Sequence, residues 1–259
     1  MNKIINADAL EAMRTLPDSC CRTCITSPPY YGLRDYGTAG QIGLEDTPDQ
    51  YIENLVKIFR EVRRVLKDDG TLWVNIGDSY TQKNLNGIPW LLAFALRSDG
   101  WYLRSDIIWQ KPNAMPESVK DRPTRAHEYI FLLSKSPRYY YDAEAVKEPA
   151  VGFYNAAPAG SAGTGKPNAR RRGNSRTFRG GGAYTHDRAQ NNSATVERES
   201  HGLAPNESGK RNRRSVWTIA TRPYKGAHFA TFPEELARPC VLAGSRPGDT
   251  VLDLSLIHI

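Results

Sequence analysis

The chain has 259 residues, with 35 Lys and Arg against 28 Asp and Glu and a formal net charge of +7. No apolar run approaches the roughly 18 residues that span a bilayer, and Met1-Asn2-Lys3-Ile4-Ile5-Asn6 lacks the apolar core and cleavage site of a signal peptide. The expectation is a soluble, cytoplasmic protein with a polyanionic partner, long enough for one α/β domain plus an inserted module.

Four cysteines are present, Cys20, Cys21, Cys24 and Cys240. The C-x-x-C spacing of Cys21 and Cys24 has no second pair and no spaced histidines, so no metal site is expected. On a strand these two residues would point to opposite faces, which leaves buried, reduced thiols as the reading.

In chain order, Ile4-Ile5 reads as a short strand, followed by a helix from Asn6 with Leu10, Met13 and Leu16 on one face. Asp8 and Glu11 have capping-box spacing, and Pro17 stops the helix. Cys24-Ile25-Thr26 then ends a buried strand, and Ser27-Pro28-Pro29-Tyr30 follows at once, with Tyr31 as a second aromatic. Two prolines fix φ twice and remove two backbone donors, so neither strand nor helix continues. The result is a rigid loop at the C-terminal end of a strand, the edge where open α/β sheets bind ligands.

Gly32, Gly37, Gly40 and Gly43 mark a flexible loop or lid. Thr47 and Pro48 suit the N-cap and first position of a helix carrying Ile52, Leu55, Ile58, Phe59, Val62, Val65 and Leu66, with Gly70 at its end. Strands are expected at 71–76, 101–109 and 129–133, with a helix from Trp90 to Arg97 closing at Gly100. This alternation indicates an α/β fold with a largely parallel sheet.

Residues 150–215 differ in kind. They hold 12 Lys/Arg against 4 Asp/Glu, a net of +8, with 10 of the 21 glycines and only Phe153, Tyr154, Phe178 and Tyr184 as aromatics. Such a stretch buries too little apolar surface to order itself alone. Its arginine clusters, Arg170-Arg171-Arg172 and Arg211, Arg213, Arg214, suit phosphate contacts. Gly160 to Lys166 imitates a phosphate-binding loop, but Pro167 replaces the required Ser or Thr and no strand precedes it. Beyond the segment come a strand at 216–219 and a helix opened by Pro233, with Leu236, Val241 and Leu242 packed, Pro239 kinking it and Gly244 at its end. Gly248 to Asp253 reads as a turn, a buried strand and an acidic residue at the strand's end.

Together these segments resemble the amino-group DNA methyltransferases of the permuted beta class, in which the catalytic motif precedes the cofactor motif. The likeness covers 1–149 and 216–253. Ile25-Thr26-Ser27-Pro28-Pro29-Tyr30 matches the catalytic motif in its serine form, typical of cytosine-N4 enzymes, whereas adenine-N6 enzymes more often carry Asp there. His228-Phe229-Ala230-Thr231-Phe232-Pro233 and Gly248 to Asp253 look like the two pieces around the first cofactor strand, and Trp109-Gln110-Lys111-Pro112-Asn113 fits a later strand.

The resemblance implies a Rossmann-like sheet, S-adenosylmethionine as cofactor and double-stranded DNA as partner, with 150–215 as the target recognition region. It also implies a cognate restriction nuclease or an unpaired enzyme of bacterium or phage. Ser27, Pro28, Pro29 and Tyr30 would be catalytic. Asp8 and Ala9 would contact the cofactor's adenine, and Asp253, with Phe229 and Thr231, its methionine end. An exocyclic amine is a poor nucleophile because its lone pair is delocalised, and acceptors on its two N–H groups localise that pair for in-line attack. The base must be flipped from the duplex, where Tyr30 can stack on it. A cytosine-C5 enzyme would need a Cys nucleophile after this strand, and Pro239-Cys240 lies elsewhere. The alternatives are adenine-N6 transfer, a catalytically inactive DNA-binding fragment and, more distantly, RNA or protein amine methylation.

Where the family continues Pro-Phe-x-Gly-x-Gly after Asp253, this chain reads Leu254-Ser255-Leu256-Ile257-His258-Ile259, so 254–259 looks like a non-native tail. The expectation is weak cofactor binding and a hole or false pairing in the sheet beside the strand at Val251.

Overall fold

The computed structural model describes residues 3–37, 40–150, 209–222 and 233–254. The chain divides into one unit of 1–148 and 212–259 and a second of 149–211. The first unit carries the helices α1 (Ala9–Arg14), α2 (Pro48–Val65), α3 (Ile88–Ser98) and α4 (Glu234–Gly244). Its sheet strands are β1 (Cys21–Thr26), β2 (Leu66–Ile76), β5 (Tyr102–Gln110), β6 (His127–Ser134), β9 (Val216–Thr218) and β10 (Val251–Leu252). A small hairpin, β3 (Tyr80–Thr81) and β4 (Asn84–Leu85), stands apart from the sheet. A separate two-stranded pair joins β7 (Glu148–Pro149) to β8 (Lys210–Arg211).

The six-stranded sheet has the order β10-β1-β2-β6-β5-β9. The β10–β1, β1–β2 and β5–β9 pairs are parallel, while β6 is antiparallel to both neighbours. Five strands therefore run one way and β6 alone runs back, in agreement with the mixed, mostly parallel sheet expected.

Alternation along the strands makes two cores. Leu72, Val74 and Ile76 of β2 join Leu55, Phe59 and Val62 of α2 and Leu92 and Leu96 of α3 on one face. Trp73, with Ile25, Ile107, Trp109, Ile130 and Trp217, packs with Leu236, Cys240 and Ala243 of α4 on the other. The sheet is thus buried on both faces between α1–α3 and α4, which explains its near-continuous apolar strands. Among the described residues no helix is long and apolar enough to cross a membrane.

Several expectations are corrected. Ile4 and Ile5 form no strand and are 59% and 40% exposed. β10 is the edge of the described sheet, so this apolar pair has no strand to dock against, and the expected hole is simply an edge. α2 ends at Val65 rather than Gly70, and β2 begins directly at Leu66. Gly70 instead lies in β2, where a Cβ would meet the Lys67 and Arg22 carbonyl oxygens at 2.8 and 2.9 Å. In α4, Leu242 is 40% exposed, and the buried face is Leu236, Cys240, Ala243 and Gly244. Small residues let this helix approach closely, since a Cβ on Gly244 would lie 2.8 Å from both Thr23 Oγ1 and Thr71 Oγ1.

The cysteine geometry also differs from expectation. The register of β1 against β2 shifts between Cys21 and Thr23, and this irregularity breaks the alternation. Cys21 and Cys24 consequently reach the same apolar core instead of opposite faces. Both are free thiols, as are Cys20 and Cys240. Burial pushes Cys21 up to about 12 and Cys24 well above the ordinary thiol value.

Candidate active site

The Ser27–Tyr30 loop leaves the sheet at the end of β1, beside the ends of β2 and β10. Its backbone is fixed by a neighbour as well as by its prolines, because the Tyr51 hydroxyl of α2 donates to the Pro29 carbonyl at 2.7 Å. Gly43 closes against it from the glycine-rich loop. A Cβ there would meet the Tyr30 carbonyl oxygen at 3.0 Å, and its φ of +104° suits glycine in any case.

Asn75, Glu128 and Lys111 gather around Tyr30 and Ser27. Odd positions of β2 and β5 and even positions of β6 face α4, and these three residues share that side at the strand ends. Because β6 runs backwards, its beginning supplies Glu128 to the edge where the parallel strands finish. The Tyr30 hydroxyl donates to Glu128 Oε2 at 2.6 Å, and Asn75 Nδ2 lies 3.0 Å from the same oxygen, 2.9 Å from Tyr30 Oη and 3.3 Å from Ser27 Oγ. Ser27 Oγ in turn lies 3.4 Å from the Tyr30 hydroxyl. Lys111 forms an ion pair with Glu128 and sets its Nζ 4.3 Å from the centre of the Trp109 ring.

Burial, then the Glu128 charge, pushes the Tyr30 hydroxyl well above the ordinary tyrosine value. Tyr30 therefore stays protonated and donating. Its ring lies against Gly77, where a Cβ would come within 2.7 Å of Cε2. Asn75 Oδ1 is buried and has no hydrogen-bond partner among the described residues. An orphaned buried acceptor costs about 1–3 kcal/mol.

The other expected site residues are distributed as follows. Asp8 caps α1, its Oδ1 accepting from the Leu10 and Glu11 N–H groups at 2.9 and 3.1 Å, and Ala9 is the first residue of that helix. Asp253 follows β10 and lies close enough to Cys24 to add to the rise in that thiol's pKa. Phe229, Thr231 and Arg170-Arg171-Arg172 lie outside the described residues, as do the rest of 151–208, expected to order on a polyanion, and the expected tail after Leu254. Of the remaining arginines, Arg213 stacks on Trp217 at 4.4 Å and Arg214 pairs with Glu148 at 2.6 Å, while Arg211 is in β8. Cys240 is buried in α4, its Sγ 3.4 Å from the Leu236 carbonyl, which removes it from nucleophilic duty. Among the described residues no group of His, Cys, Asp and Glu could hold a metal ion.

Asn75 and Glu128 were not identified from the sequence. Their signal is a lone amide inside an apolar strand and a lone carboxylate at a strand's start, each on the face that otherwise carries tryptophan and isoleucine.

The arrangement, with a rigid Pro-Pro loop and converging acceptors at the carboxyl edge of a mostly parallel sheet, is that of the α/β DNA methyltransferases. The model of the N6/N4 DNA methylase family matches residues 21–254. The Type II methyltransferase M.SmaI of Serratia marcescens is 46% identical across 97% of this chain and 78% of its own length. M.Cfr9I of Citrobacter freundii is 46% identical across 96% and 75%. Among solved structures, the PvuII DNA methyltransferase (cytosine-N4-specific) superposes with a TM-score of 0.62 at 17% identity, covering 95% of this chain and 71% of that one, a likeness of fold. The chain belongs to the N6/N4 DNA methylase family and is an S-adenosylmethionine-dependent DNA amino-methyltransferase.

The described residues fit that cofactor. It needs a crevice at the strand ends and acceptors for its ammonium and hydroxyl groups. β1 and β10 run parallel, so Ser27 and Asp253 both follow strand ends at one edge of the sheet.

Proposed function

We propose that the chain methylates the exocyclic N4 amine of a cytosine flipped out of double-stranded DNA. The observation that carries this reading is the buried cluster that fixes Ser27 at the end of β1. Asn75 Nδ2 lies 3.3 Å from Ser27 Oγ, and the Tyr30 hydroxyl beside it is held by Glu128. The serine form of the loop supports cytosine over adenine, as does the likeness to the PvuII DNA methyltransferase, which is cytosine-N4-specific.

In this reading Ser27 Oγ and the Pro28 carbonyl accept the amine's N–H groups and localise its lone pair. Pro28 and Pro29 hold that geometry before the base arrives. Tyr30 fixes the Ser27 hydroxyl from below through Glu128 and Asn75 and offers its ring for stacking on the base. The cofactor supplies an electrophilic methyl group. Asp253 orients its methionine end with Phe229 and Thr231, while Asp8 and Ala9 border its adenine. Residues 150–215 supply target recognition, with Arg170, Arg171, Arg172, Arg211, Arg213 and Arg214 on the phosphates. A restriction nuclease of the same specificity is the partner this reading implies.

The test is a nucleoside digest of duplex DNA after incubation with the protein and S-adenosylmethionine. N4-methylcytosine is expected. N6-methyladenine in its place would assign the chain to the other branch of the family, and undiminished transfer by the Ser27→Ala, Tyr30→Ala double variant would remove the site.

A further inference from the structure

The β3–β4 hairpin is built unlike an ordinary connection. Tyr80 pairs with Leu85 and Thr81 with Asn84, leaving Gln82 and Lys83 as a two-residue tip. Both tip residues are left-handed, with φ of 49° and 67°. Two-residue turns of this hand favour Asn and Gly, which tolerate positive φ. Two long polar side chains here hold the backbone in a sparsely populated region, and such strain persists where the surroundings or a function maintain it.

The base of the hairpin is clamped. The Asp78 carboxylate accepts from the backbone N–H groups of Ser79, Gly87 and Ile88 at 2.9, 3.1 and 3.0 Å, tying the hairpin to the start of α3. Asn86 closes it through its own N–H to the Ser79 carbonyl at 3.0 Å and through Nδ2 to Ser79 Oγ at 2.9 Å. Gly77, three positions before Tyr80, is the residue touching the Tyr30 ring. The hairpin therefore rises as a rigid projection from the rim of the active site.

Its flank is aromatic and carries ion-paired arginines. The Arg122 guanidinium lies 4.2 Å from the Tyr80 ring centre and pairs with Glu117 at 2.5 Å, and that of Arg125 lies 5.7 Å from the ring and 3.7 Å from Asp78. Arg125 is anchored, its Nη1 donating to the Asp78 carbonyl at 2.6 Å. Lys83 meets Asp121 at 3.2 Å, but both side chains are largely in water, at 88% and 64% exposed, so the pair exchanges readily for a phosphate or base. A two-stranded ribbon fits the DNA major groove, where Gln reads adenine and Lys reads guanine by their hydrogen-bonding edges.

We propose that this hairpin is a sequence-reading finger. Gln82 and Lys83 contact base edges in the major groove beside the flipped nucleotide, and Tyr80 with Arg122 braces the finger against the phosphate backbone. The inference rests on the family's action on duplex DNA and adds a second source of specificity to the basic segment 150–215.

The test uses the full chain and a pool of duplexes with a randomised core, selected by binding and sequenced. The Gln82→Gly, Lys83→Gly double variant removes both side chains while placing glycine where φ is positive, so the fold is retained, which an unchanged or raised melting temperature checks. Wild-type protein is expected to enrich a consensus, and the variant to lose preference at one or two positions by at least about fivefold while keeping the rest. An identical consensus for both proteins, or no enrichment by either, overturns the proposal. A nucleoside digest of the same pool after methyl transfer reads the N4 assignment separately, so the two ideas fail independently.

Discussion

The hydroxyl of Tyr30 donates to Glu128 across 2.6 Å, joining a loop after the first strand to the start of the one strand that runs backwards. Glu128 also receives Asn75 and Lys111, so a single carboxylate organises the residues beneath Ser27. Glu128→Gln keeps an acceptor for Tyr30 but loses the charge that opposes Lys111. We expect methyl transfer to fall about 10- to 100-fold, equivalent to about 1.5–3 kcal/mol for a charged hydrogen bond, mainly in kcat. Steady-state kinetics at saturating DNA measure it, and a change confined to KM for DNA would refute the positioning role.

Tyr30→Phe is the complementary change. It leaves the ring against Gly77 but deletes the donor to Glu128, so folding should weaken by only about 1 kcal/mol while turnover drops. Denaturant unfolding and single-turnover transfer separate the two effects.

Gly77→Ala tests the same contact from the other side. The added Cβ would fall 2.7 Å from Tyr30 Cε2, too near for the ring to stay. Activity should be lost and the melting temperature should fall, because the displaced ring gives up its hydrogen bonds to Glu128 and Asn75. Gly244→Ala should cost stability without touching the site. Its Cβ would strike Thr23 and Thr71 in the buried seam below α4, a cost of about 1–3 kcal/mol of overpacking, read as a lower midpoint in urea.

Acid should weaken the β10 edge. Asp249 has its carboxyl held below the ordinary value by the Arg246 N–H first and by Lys67 and Arg22 as well. A depressed folded pKa gives stability that is complete above the unfolded value, about 3.9, and is lost as pH falls through the folded one. Asp249→Asn should therefore flatten the decline in melting temperature on the acid side and leave the neutral range merely lower. Equal acid slopes in both proteins would contradict this.

Much of the architecture was legible because prolines and periodicity are loud signals. Pro28-Pro29 announced a rigid loop at a strand end, and the 3.6-residue recurrence from Ile52 to Val65 announced α2, with Thr47 accepting from the Gln50 N–H at 3.3 Å as its cap. Methyltransferase identity, the cofactor and DNA as substrate followed from motif order and agree with the family match. Quieter features were missed. Asn75 looked like filler in an apolar strand, since nothing local shows that its amide reaches residues 27, 30 and 128. On α4, Leu236 and Val241 pack as expected but Leu242 is exposed, because close approach to Thr23 and Thr71 selects Ala243 and Gly244 instead. The run from Leu66 to Gly70 was assigned to the helix, whose period it continues, but tertiary pairing with Cys21 claims it for the sheet. Ile4 and Ile5 carried strand propensity without a neighbour, and propensity alone does not form a ladder.

One pairing has a bearing on how the molecule assembles. β1 finds β10 across most of the chain, Thr23 opposite Val251, whereas β2, β5 and β6 meet through far shorter connections. Closing the longer loop costs little extra free energy, since the penalty grows only with the logarithm of length, but it delays the contact. The central strands and their helices have what they need before the β10 edge arrives. Pulsed hydrogen exchange during refolding should find the amides of Leu72 to Ile76 protected ahead of those at Thr23 and Leu252, so that the strand carrying Asn75 matures before the Asp253 edge closes on β1.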